Sequence, residues 1–210
     1  MSAVPGYRRS QRVLEACAIG VFAALAGWSL WRLALAVGGY FPGVMLVAAV
    51  CGWLVVDLMS GLLHWAFDCW GSVRTPVLGS AFIRPFREHH VDPQLMTTHD
   101  FVELNGASCI VCVPILITTC VVPLASGPWI ALQAVMLFTA LGALITNQCH
   151  QWAHADPSTT SQIVRWAQRH RLILQPAQHR LHHTAPFDSH FCMASGWLNA
   201  PLNAVLRAWR

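Results

Sequence analysis

Residues Pro128 to His154 have the sequence PWIALQAVMLFTALGALITNQCHQWAH, an apolar stretch that ends in two histidines. The part from 128 to 149 is close to the roughly 20 residues that a helix needs to span a bilayer core. His150 and His154 are four positions apart, so on a helix that continues from this span both imidazoles lie on one face. The stretch therefore predicts a transmembrane helix whose polar end presents two side chains that can reach one metal ion.

The rest of the chain has the composition of a membrane protein. Its 210 residues suit a single domain, and 55% of them are hydrophobic whereas only 10% are charged. Soluble domains carry about 25% charged residues. Three further apolar stretches, at about 13 to 37, 44 to 67 and 107 to 127, are long enough to span a bilayer. We therefore predict an all-α integral membrane protein with about four transmembrane helices.

The arginines predict the topology, because all thirteen basic residues are arginines and only Arg32 lies within a predicted span. The others precede the first span, separate the second from the third, or follow the fourth: Arg8, Arg9, Arg12, Arg74, Arg84, Arg87, Arg165, Arg169, Arg171, Arg180, Arg207 and Arg210. Positively charged residues concentrate in cytoplasmic loops. Both termini and the loop at 68 to 106 are therefore predicted to be cytoplasmic.

Both ends of the chain allow two interpretations. The N-terminal arginines, the apolar run after them and Ala34-Leu35-Ala36 resemble a cleavable signal peptide, but the run is longer than a typical signal core, so we expect a span. At the other end, apolar residues recur at spacings near three and four: Trp197, Leu198, Leu202, Val205, Leu206 and Trp209. This periodicity predicts a short helix, either lying in the membrane interface or packed on the protein.

Eight of the eleven histidines lie at the predicted cytoplasmic ends of the spans: His64, His89, His90, His150, His154, His179, His182 and His183. Imidazole is the commonest protein metal ligand, and one metal ion uses three or four protein ligands. On a helix the adjacent His89 and His90 cannot point the same way, whereas His179 shares a face with His182 and His183. The pattern predicts a polyhistidine site for two metal ions.

Several polar residues are candidates to support this site. Asp92 and Asp100 are placed to hydrogen-bond ligand histidines and fix their orientation. Asp57 lies within the second span, where it could have the same role, cap a buried hydrogen-bond network or partner an arginine. Glu103 and Asn105 are candidates to complete the site and could equally form a turn. Cys109 and Cys112 form a lone CxxC without a second pair, and we interpret them as small core residues.

The composition also excludes several kinds of metal protein. Ferritin-like bundles use four glutamates and two Glu-x-x-His motifs, but this chain has only three glutamates. A bis-histidine haem site would need histidines at matching depth in facing spans, and a zinc protease would need a glutamate where Gln151 stands. A nitrogen-rich site for two redox-active ions remains, with a metal transporter or sensor as the alternative from another class.

The chain is similar to the membrane lipid desaturases, the family that includes plasmanylethanolamine desaturase and the chloroplast phosphatidylglycerol desaturase. The resemblance covers about 57 to 202 and rests on ordered motifs: DLMSGLLHW from Asp57, DCWG from Asp68, RPFREHH from Arg84, HDF from His99, HQWAH from His150, HRLHH from His179 and GWLN from Gly196. On this resemblance residues 1–210 are a single membrane lipid desaturase domain.

The resemblance implies a di-iron enzyme that uses O2 and two electrons to dehydrogenate a lipid carbon–carbon bond. It implies the eight histidines named above as iron ligands, with His99 as a possible ninth. The chain departs from the family pattern at Phe187, where relatives often have a histidine after the proline that matches Pro186, and at Ala107, where they have an acid. His190 is a candidate to replace the missing histidine.

The implied substrate is the 1-O-alkyl chain of an ether phospholipid, which becomes the vinyl ether of a plasmalogen. An ester-linked acyl chain is the alternative, because no residue can be assigned to distinguish ether from ester. No electron-transfer motif is present in the sequence, so we expect a separate cytochrome, ferredoxin or reductase and no nucleic-acid partner. The absence of lysine beside abundant arginine and alanine favours a bacterial inner membrane, with the active site facing the cytoplasm.

Overall fold

The computed structural model of the chain describes residues 8–38, 41–76, 78–79 and 83–208. Within these ranges the secondary structure is entirely helical, which confirms the all-α prediction. The helices are α1 (Arg9–Val37), α2 (Phe41–Cys69), α3 (Arg84–Val91), a 3-10 helix (Leu95–Thr98), α4 (Phe101–Val121), α5 (Gly127–His154), α6 (Gln162–Arg169), α7 (Pro176–His182) and α8 (Asn199–Ala208).

Four of these helices, α1, α2, α4 and α5, are long and apolar enough to cross a membrane. The prediction of four spans is confirmed, but the third span lies earlier than expected, at Phe101–Val121 instead of 107 to 127. Its start is set by Asp100, whose carboxylate accepts hydrogen bonds from the backbone N–H groups of Val102 and Glu103. It ends before Val122, which is extended because Pro123 follows it.

The chain forms two compact units, and the first comprises Met1–Val56 and His99–Ile145. Here α1 and α4 run parallel, since Arg12 pairs with Asp100 at 2.7 Å near their starts and Ser29 bonds Thr119 at 2.6 Å near their ends. The first part of α2 and α5 also run parallel, since Gly52 lies against Phe138 and, one turn later in both helices, Val56 lies against Gly142. Parallel packing of each pair gives both members the same direction across a bilayer.

Two features of the first unit show what Arg32 and the CxxC cysteines do. The guanidinium of Arg32 donates hydrogen bonds to the carbonyl oxygens of Thr119 and Val122, and so satisfies the carbonyls at the end of α4 that no helix bond satisfies. Cys109 and Cys112 are buried in an apolar core with Leu116, which confirms that they are core residues.

The second unit comprises Asp57–Thr98 and Thr146–Arg210. At its centre is Asp57, which is completely buried and accepts hydrogen bonds from the backbone N–H groups of Ser195, Gly196 and Leu198. In the same way the hydroxyl of Ser60 accepts a hydrogen bond from the N–H of Met193. These bonds fix the segment 190–198 against the C-terminal part of α2.

The C-terminal helix predicted from the sequence is present as α8. Its Leu202 and Leu206 are buried with Phe191 and Cys192, so one face of the helix packs on the protein. Val205 is exposed, and a position in the membrane interface stays a prediction for that part of the helix. The end of the predicted helix, Trp209 and Arg210, lies outside the described residues.

Candidate metal centre

The eight predicted ligands lie together in the second unit, where the structure sorts them into two groups. The five-histidine group contains His89, His150, His154, His179 and His183. The Asp68 group contains His64, Asp68, His90 and His182. Within each group, one nitrogen or oxygen atom of every member lies within 4.8 Å of the corresponding atoms of the others.

Helical geometry explains why neighbours in sequence belong to different groups. His89 and His90 are adjacent on α3, so their rings point in different directions, and each enters a different group. His182 and His183 at the end of α7 diverge in the same way. The two groups are therefore neighbours that share α3 and α7, with ring centroids of His90 and His183 5.0 Å apart.

The nitrogen atoms of the five-histidine group are too close together to be satisfied by hydrogen bonds alone. The Nε2 atom of His179 lies 2.9 Å from Nε2 of His150, 2.6 Å from Nε2 of His154 and 3.0 Å from Nε2 of His183. A neutral imidazole nitrogen carries either one proton or one lone pair, so it forms one such bond and not three. The convergent lone pairs and the all-nitrogen donor set fit a metal ion at this position.

The spacing of these nitrogens also fits ligation. For metal–nitrogen bonds of about 2.0 to 2.1 Å, two ligands at about 90 to 110° lie about 2.9 to 3.4 Å apart. Most of the contacts meet this spacing, including His154 to His89 at 3.0 Å in the five-histidine group and His182 to His64 at 3.1 Å in the other. Both groups therefore have the dimensions of metal sites.

Asp68 is a functional candidate that the sequence reasoning did not select. Its Oδ2 atom lies 3.1 Å from Nε2 of His90, 3.3 Å from Nε2 of His64 and 3.5 Å from Nε2 of His182. The available signal was its position one helical turn after His64, which puts both side chains on one face of α2. A carboxylate at this point would give the second metal a ligand set of three imidazoles and one negative charge.

Burial keeps the histidines of α3 and α7 in the form that binds metals. Burial, with a smaller contribution from neighbouring histidines, lowers the pKa of His89 to about 2 and the pKa values of His182 and His183 to about 3. It also lowers the pKa of His179 well below its ordinary value. Imidazoles with such pKa values are neutral at pH 7, so each has a lone pair available for a metal ion.

One of these histidines also has its orientation fixed by the backbone. Nδ1 of His182 lies 3.0 Å from the carbonyl oxygen of Ser189 and donates to it, because a carbonyl oxygen only accepts. The proton therefore resides on Nδ1, and the lone pair of Nε2 faces the Asp68 group. Such a bond to the second nitrogen is a common feature of metal-binding histidines.

Of the three carboxylates considered for orienting the ligands, Asp57 and Asp100 bond other groups, and Asp92 lies exposed after α3. Asp57 binds the backbone of the segment 190–198, as described above. Asp92 is exposed beyond the end of α3, where its backbone N–H donates to the carbonyl of Glu88. Asp100 caps α4 and pairs with Arg12. Within the described residues, Asp68 is the carboxylate that forms a hydrogen bond with a histidine of these groups, His90.

Two additional ligand candidates belong to neither group. Among the residues that the structure describes, His99 and His190 are members of neither set. Asn105 is buried in α4, where its amide donates to the carbonyl of Phe101. His190 bonds the hydroxyl of Ser189 through Nδ1 at 2.9 Å. A ninth histidine ligand therefore stays a prediction.

A cavity of about 370 Å³ opens directly onto the Asp68 group. Asp68 and His90 form part of its wall, and Arg87, Pro186 and Phe187 form the rest with two neighbours. The ring of Phe187 stands edge-on to His90, with centroids 5.2 Å apart. Pro186 and Phe187 form the apolar part of this wall, and Asp68, Arg87, His90 and Asp188 form its polar part.

Replacing Asp68 with asparagine is expected to lower metal content by one ion per chain and enzymatic activity by about 100-fold or more. Asparagine has the same shape, but it removes the negative charge and places either a neutral oxygen or an N–H group among three imidazole nitrogens. Metal analysis of the purified protein and a lipid turnover assay measure the two effects. Glu88→Gln makes the same chemical change at an exposed carboxylate of α3 and should change neither; equal behaviour of both variants would contradict a ligand role for Asp68.

Comparison with known proteins places the chain in a family. The sequence profile of the lipid desaturase domain matches residues 53–210, which is more than half of the chain. The chain belongs to the lipid desaturase domain family. This match includes every residue of both the five-histidine group and the Asp68 group. The family resemblance inferred from the motifs is therefore confirmed.

Named relatives support the same assignment. Plasmanylethanolamine desaturase of Myxococcus xanthus is 40% identical over 202 residues, which are 95% of this chain and 70% of the relative. Plasmanylethanolamine desaturase 1 of Mus musculus is 38% identical over 97% of this chain and 76% of its own length. Fatty acid desaturase 4, chloroplastic, of Arabidopsis thaliana is 33% identical over 78% of this chain and 50% of its own length. No solved structure matches significantly.

Family membership and the four apolar helices together define the class of protein. It is a multi-pass membrane protein and a lipid desaturase, hence an oxidoreductase that acts on a lipid. The metal transporter or sensor that the sequence left open is not supported, because the relatives named above are desaturases. The two histidine-rich groups are then the candidate active site.

Proposed function

We propose that this protein is an O2-dependent di-iron desaturase that converts the 1-O-alkyl chain of a plasmanylethanolamine into the vinyl ether of a plasmalogen. The observation that carries the proposal is the pair of metal-binding groups in one unit of a chain that is about 40% identical to two plasmanylethanolamine desaturases. The plant desaturase is less similar and covers less of the chain.

The overall reaction balances with O2 as the oxidant and an external donor as the source of electrons. The lipid loses one hydrogen from each of the first two carbons of its O-alkyl chain, the carbon bonded to the ether oxygen and the carbon next to it. These two hydrogens, O2, two electrons and two protons give two molecules of water. Iron bound by the two groups would supply the activation of O2 and the oxidising power that removes hydrogen from an unactivated carbon.

The residues of the chain hold the iron, shape the site and exclude water. The neutral imidazoles of the five-histidine group would hold one iron ion, and the three imidazoles and carboxylate of the Asp68 group would hold the other. His179 and His182 are almost completely buried, so bulk water is kept from the metal ligands. The cavity beside Phe187 would receive the alkyl chain next to His90.

The domain limits, partners and location belong to this proposal. Residues 1–210 would form one desaturase domain, and the profile match to 53–210 supports the part of it that follows the first span. Because no motif for carrying electrons was found in the sequence, a separate cytochrome, ferredoxin or reductase would reduce the iron. The arginine distribution supports an active site on the cytoplasmic face, and the composition supports a bacterial inner membrane.

Expression of the chain in cells that contain alkyl ether phospholipids but no vinyl ethers should produce acid-labile alkenyl lipids. The measurement is lipid mass spectrometry before and after mild acid treatment, because vinyl ethers hydrolyse in acid and alkyl ethers do not. His150→Ala removes one nitrogen of the five-histidine group and should give no alkenyl lipid. Purified protein should contain about two iron ions per chain and show no haem absorbance.

The control for expression is His170→Ala, which replaces an exposed histidine of neither group. It should produce as much alkenyl lipid as the unchanged chain. Unchanged ether lipids despite a working electron donor would contradict the plasmalogen assignment. New double bonds in ester-linked acyl chains would establish the alternative, and one zinc ion without iron would overturn the metal assignment.

A further inference from the structure

A second cavity of the same unit lies beside α8 and has no role in the function proposed so far. Its volume is about 560 Å³, within the range of about 300 to 1,000 Å³ that is usual for small-molecule sites. The residues that matter for its chemistry are Arg171, Gln178, Trp197, Asn199, Asn203 and Arg207. One face of α8 packs on the apolar core through Leu202 and Leu206. Asn203 and Arg207 lie on another face of the helix and line this cavity.

The cavity carries positive charge without a counter-charge. Arg171 and Arg207 are both exposed, and within the described ranges neither guanidinium forms an ion pair with a carboxylate. Burial and the nearby Arg207 lower the pKa of His190, which also lines the cavity, so that ring is neutral at pH 7. The two guanidinium groups therefore offer unused donors to an anion.

Two buried amide atoms at the cavity also have no hydrogen-bond partner. Asn199 is 3% exposed, and its Oδ1 accepts from the N–H of Cys192, which fixes the amide so that Nδ2 is the unpaired donor. Gln178 has an unpaired acceptor, Oε1. Both atoms lie beside Gly196, where a Cβ would be 2.9 Å from Asn199 Nδ2 and 2.3 Å from Gln178 Oε1. A side chain at position 196 would clash with both amides, so glycine is needed for this arrangement.

We propose that this cavity binds the zwitterionic phosphate-and-amine headgroup of the phospholipid substrate, an inference that rests on the proposed function. Arg171 and Arg207 pair with the phosphate oxygens, which guanidinium groups bind in a bidentate manner. Asn199 Nδ2 donates a further hydrogen bond to the phosphate, and Gln178 Oε1 accepts one from the ammonium group. A simple anion would satisfy the donors but would leave Gln178 facing negative charge.

The position of the cavity suits the chemistry of a vinyl ether. In such a product the new double bond begins at the carbon attached to the ether oxygen, so only the glycerol backbone separates it from the phosphate. Short links connect the cavity to the metal ligands: Gln178 directly precedes His179, and His190 follows Ser189, whose carbonyl accepts from His182. A headgroup held here fixes the lipid at the end where the reaction takes place.

The test compares Arg171→Gln and Arg207→Gln with Arg169→Gln, an exposed arginine of α6 that does not line the cavity. Calorimetric titration of the metal-loaded protein in neutral detergent uses sn-glycero-3-phosphoethanolamine and, separately, inorganic phosphate. Each cavity variant should weaken binding of glycerophosphoethanolamine by about tenfold, and Arg169→Gln should not. Arg207→Lys, which retains the charge, should recover most of the affinity.

A second readout is turnover in proteoliposomes of neutral lipid with increasing mole fraction of the ether phospholipid. Both cavity variants should raise KM for the lipid by about tenfold and leave kcat within about twofold, because the headgroup is bound equally before and during the reaction. Wild-type protein should show the same raised KM for an alkyl acyl glycerol, which lacks the phosphate. With that substrate the cavity variants should have the same KM as the wild-type protein.

Three results would overturn the inference. One is equal binding of glycerophosphoethanolamine by all variants, and another is binding of inorganic phosphate as tight as that of the headgroup. The third is a change only in KM for the reduced electron donor, which would make the cavity a docking site for that partner. If the enzyme desaturates ester lipids instead, the KM shift is measured with the ester lipid. If it desaturates no lipid, the calorimetric titrations alone test whether the cavity binds the headgroup.

Discussion

Replacing His179 with alanine is expected to abolish desaturation and to remove one metal ion per chain. The Nε2 atom of His179 lies within 3.0 Å of three other imidazole nitrogens, more such contacts than any other nitrogen of the five-histidine group has. Loss of a residue that only supports a ligand costs about 10- to 100-fold, so loss of this ligand should lower activity by more than about 100-fold. Metal analysis and lipid turnover measure both effects.

A thermal unfolding curve must accompany this variant, because His179 is also buried. Without its metal the group of neutral imidazoles loses the cation that its lone pairs surround, so a lower unfolding temperature is expected with the helices retained in circular dichroism. His170→Ala, the exposed histidine used as a control above, should keep wild-type metal content and activity. Full metal content and wild-type turnover in His179→Ala would disprove the assignment of the five-histidine group.

Replacing Asp57 with alanine is expected to be the most destabilising single substitution outside the metal ligands. Its buried carboxylate accepts three backbone N–H groups, from Ser195, Gly196 and Leu198, and alanine leaves all three without an acceptor. Each buried unsatisfied group costs about 1 to 3 kcal/mol. A total near 4 kcal/mol corresponds to a fall of about 8 to 16 °C in the unfolding temperature of a chain of this size.

Asp57→Asn is the matched control, since asparagine can keep the acceptor at Oδ1 for Ser195 and Gly196. It loses the acceptor for Leu198 and should therefore cost about 1 to 3 kcal/mol, less than alanine. The measurement is the thermal unfolding temperature in detergent. The metal content of the protein is then measured after the sample is cooled and allowed to refold. An unfolding temperature of Asp57→Ala within about 2 °C of wild type would show that the segment 190–198 is held by other contacts.

The sequence predicted the spans and most of the metal-binding residues because both depend on local periodicity. An apolar run of the right length becomes a helix in a bilayer whatever its neighbours are, since its backbone groups must be satisfied within the segment. The spacing of four between His150 and His154 likewise needs only one helix. The limits of the third span were wrong by about six residues, because the capping of Asp100 and the effect of Pro123 were not weighed.

The supporting carboxylates were harder to predict because their partners are distant in the chain. For Asp57 the sequence left several roles open, and the structure has it in a buried hydrogen-bond network with backbone groups about 140 positions later. Asp68 was passed over, although its carboxylate contacts His90 from α3 and His182 from α7. Nothing in the spacing between such residues indicates which carboxylate reaches the site, since that depends on how separate helices pack.

The sequence by itself therefore determined that this protein is an all-helical membrane desaturase with a polyhistidine site, because hydrophobic length, helical spacing and family motifs are properties of the chain alone. Only the tertiary structure decided how eight histidines divide between two groups, that Asp68 joins one of them, and that a basic cavity lies beside α8. These features depend on side chains from different helices meeting in space, and their distances are fixed by packing and not by position in the sequence.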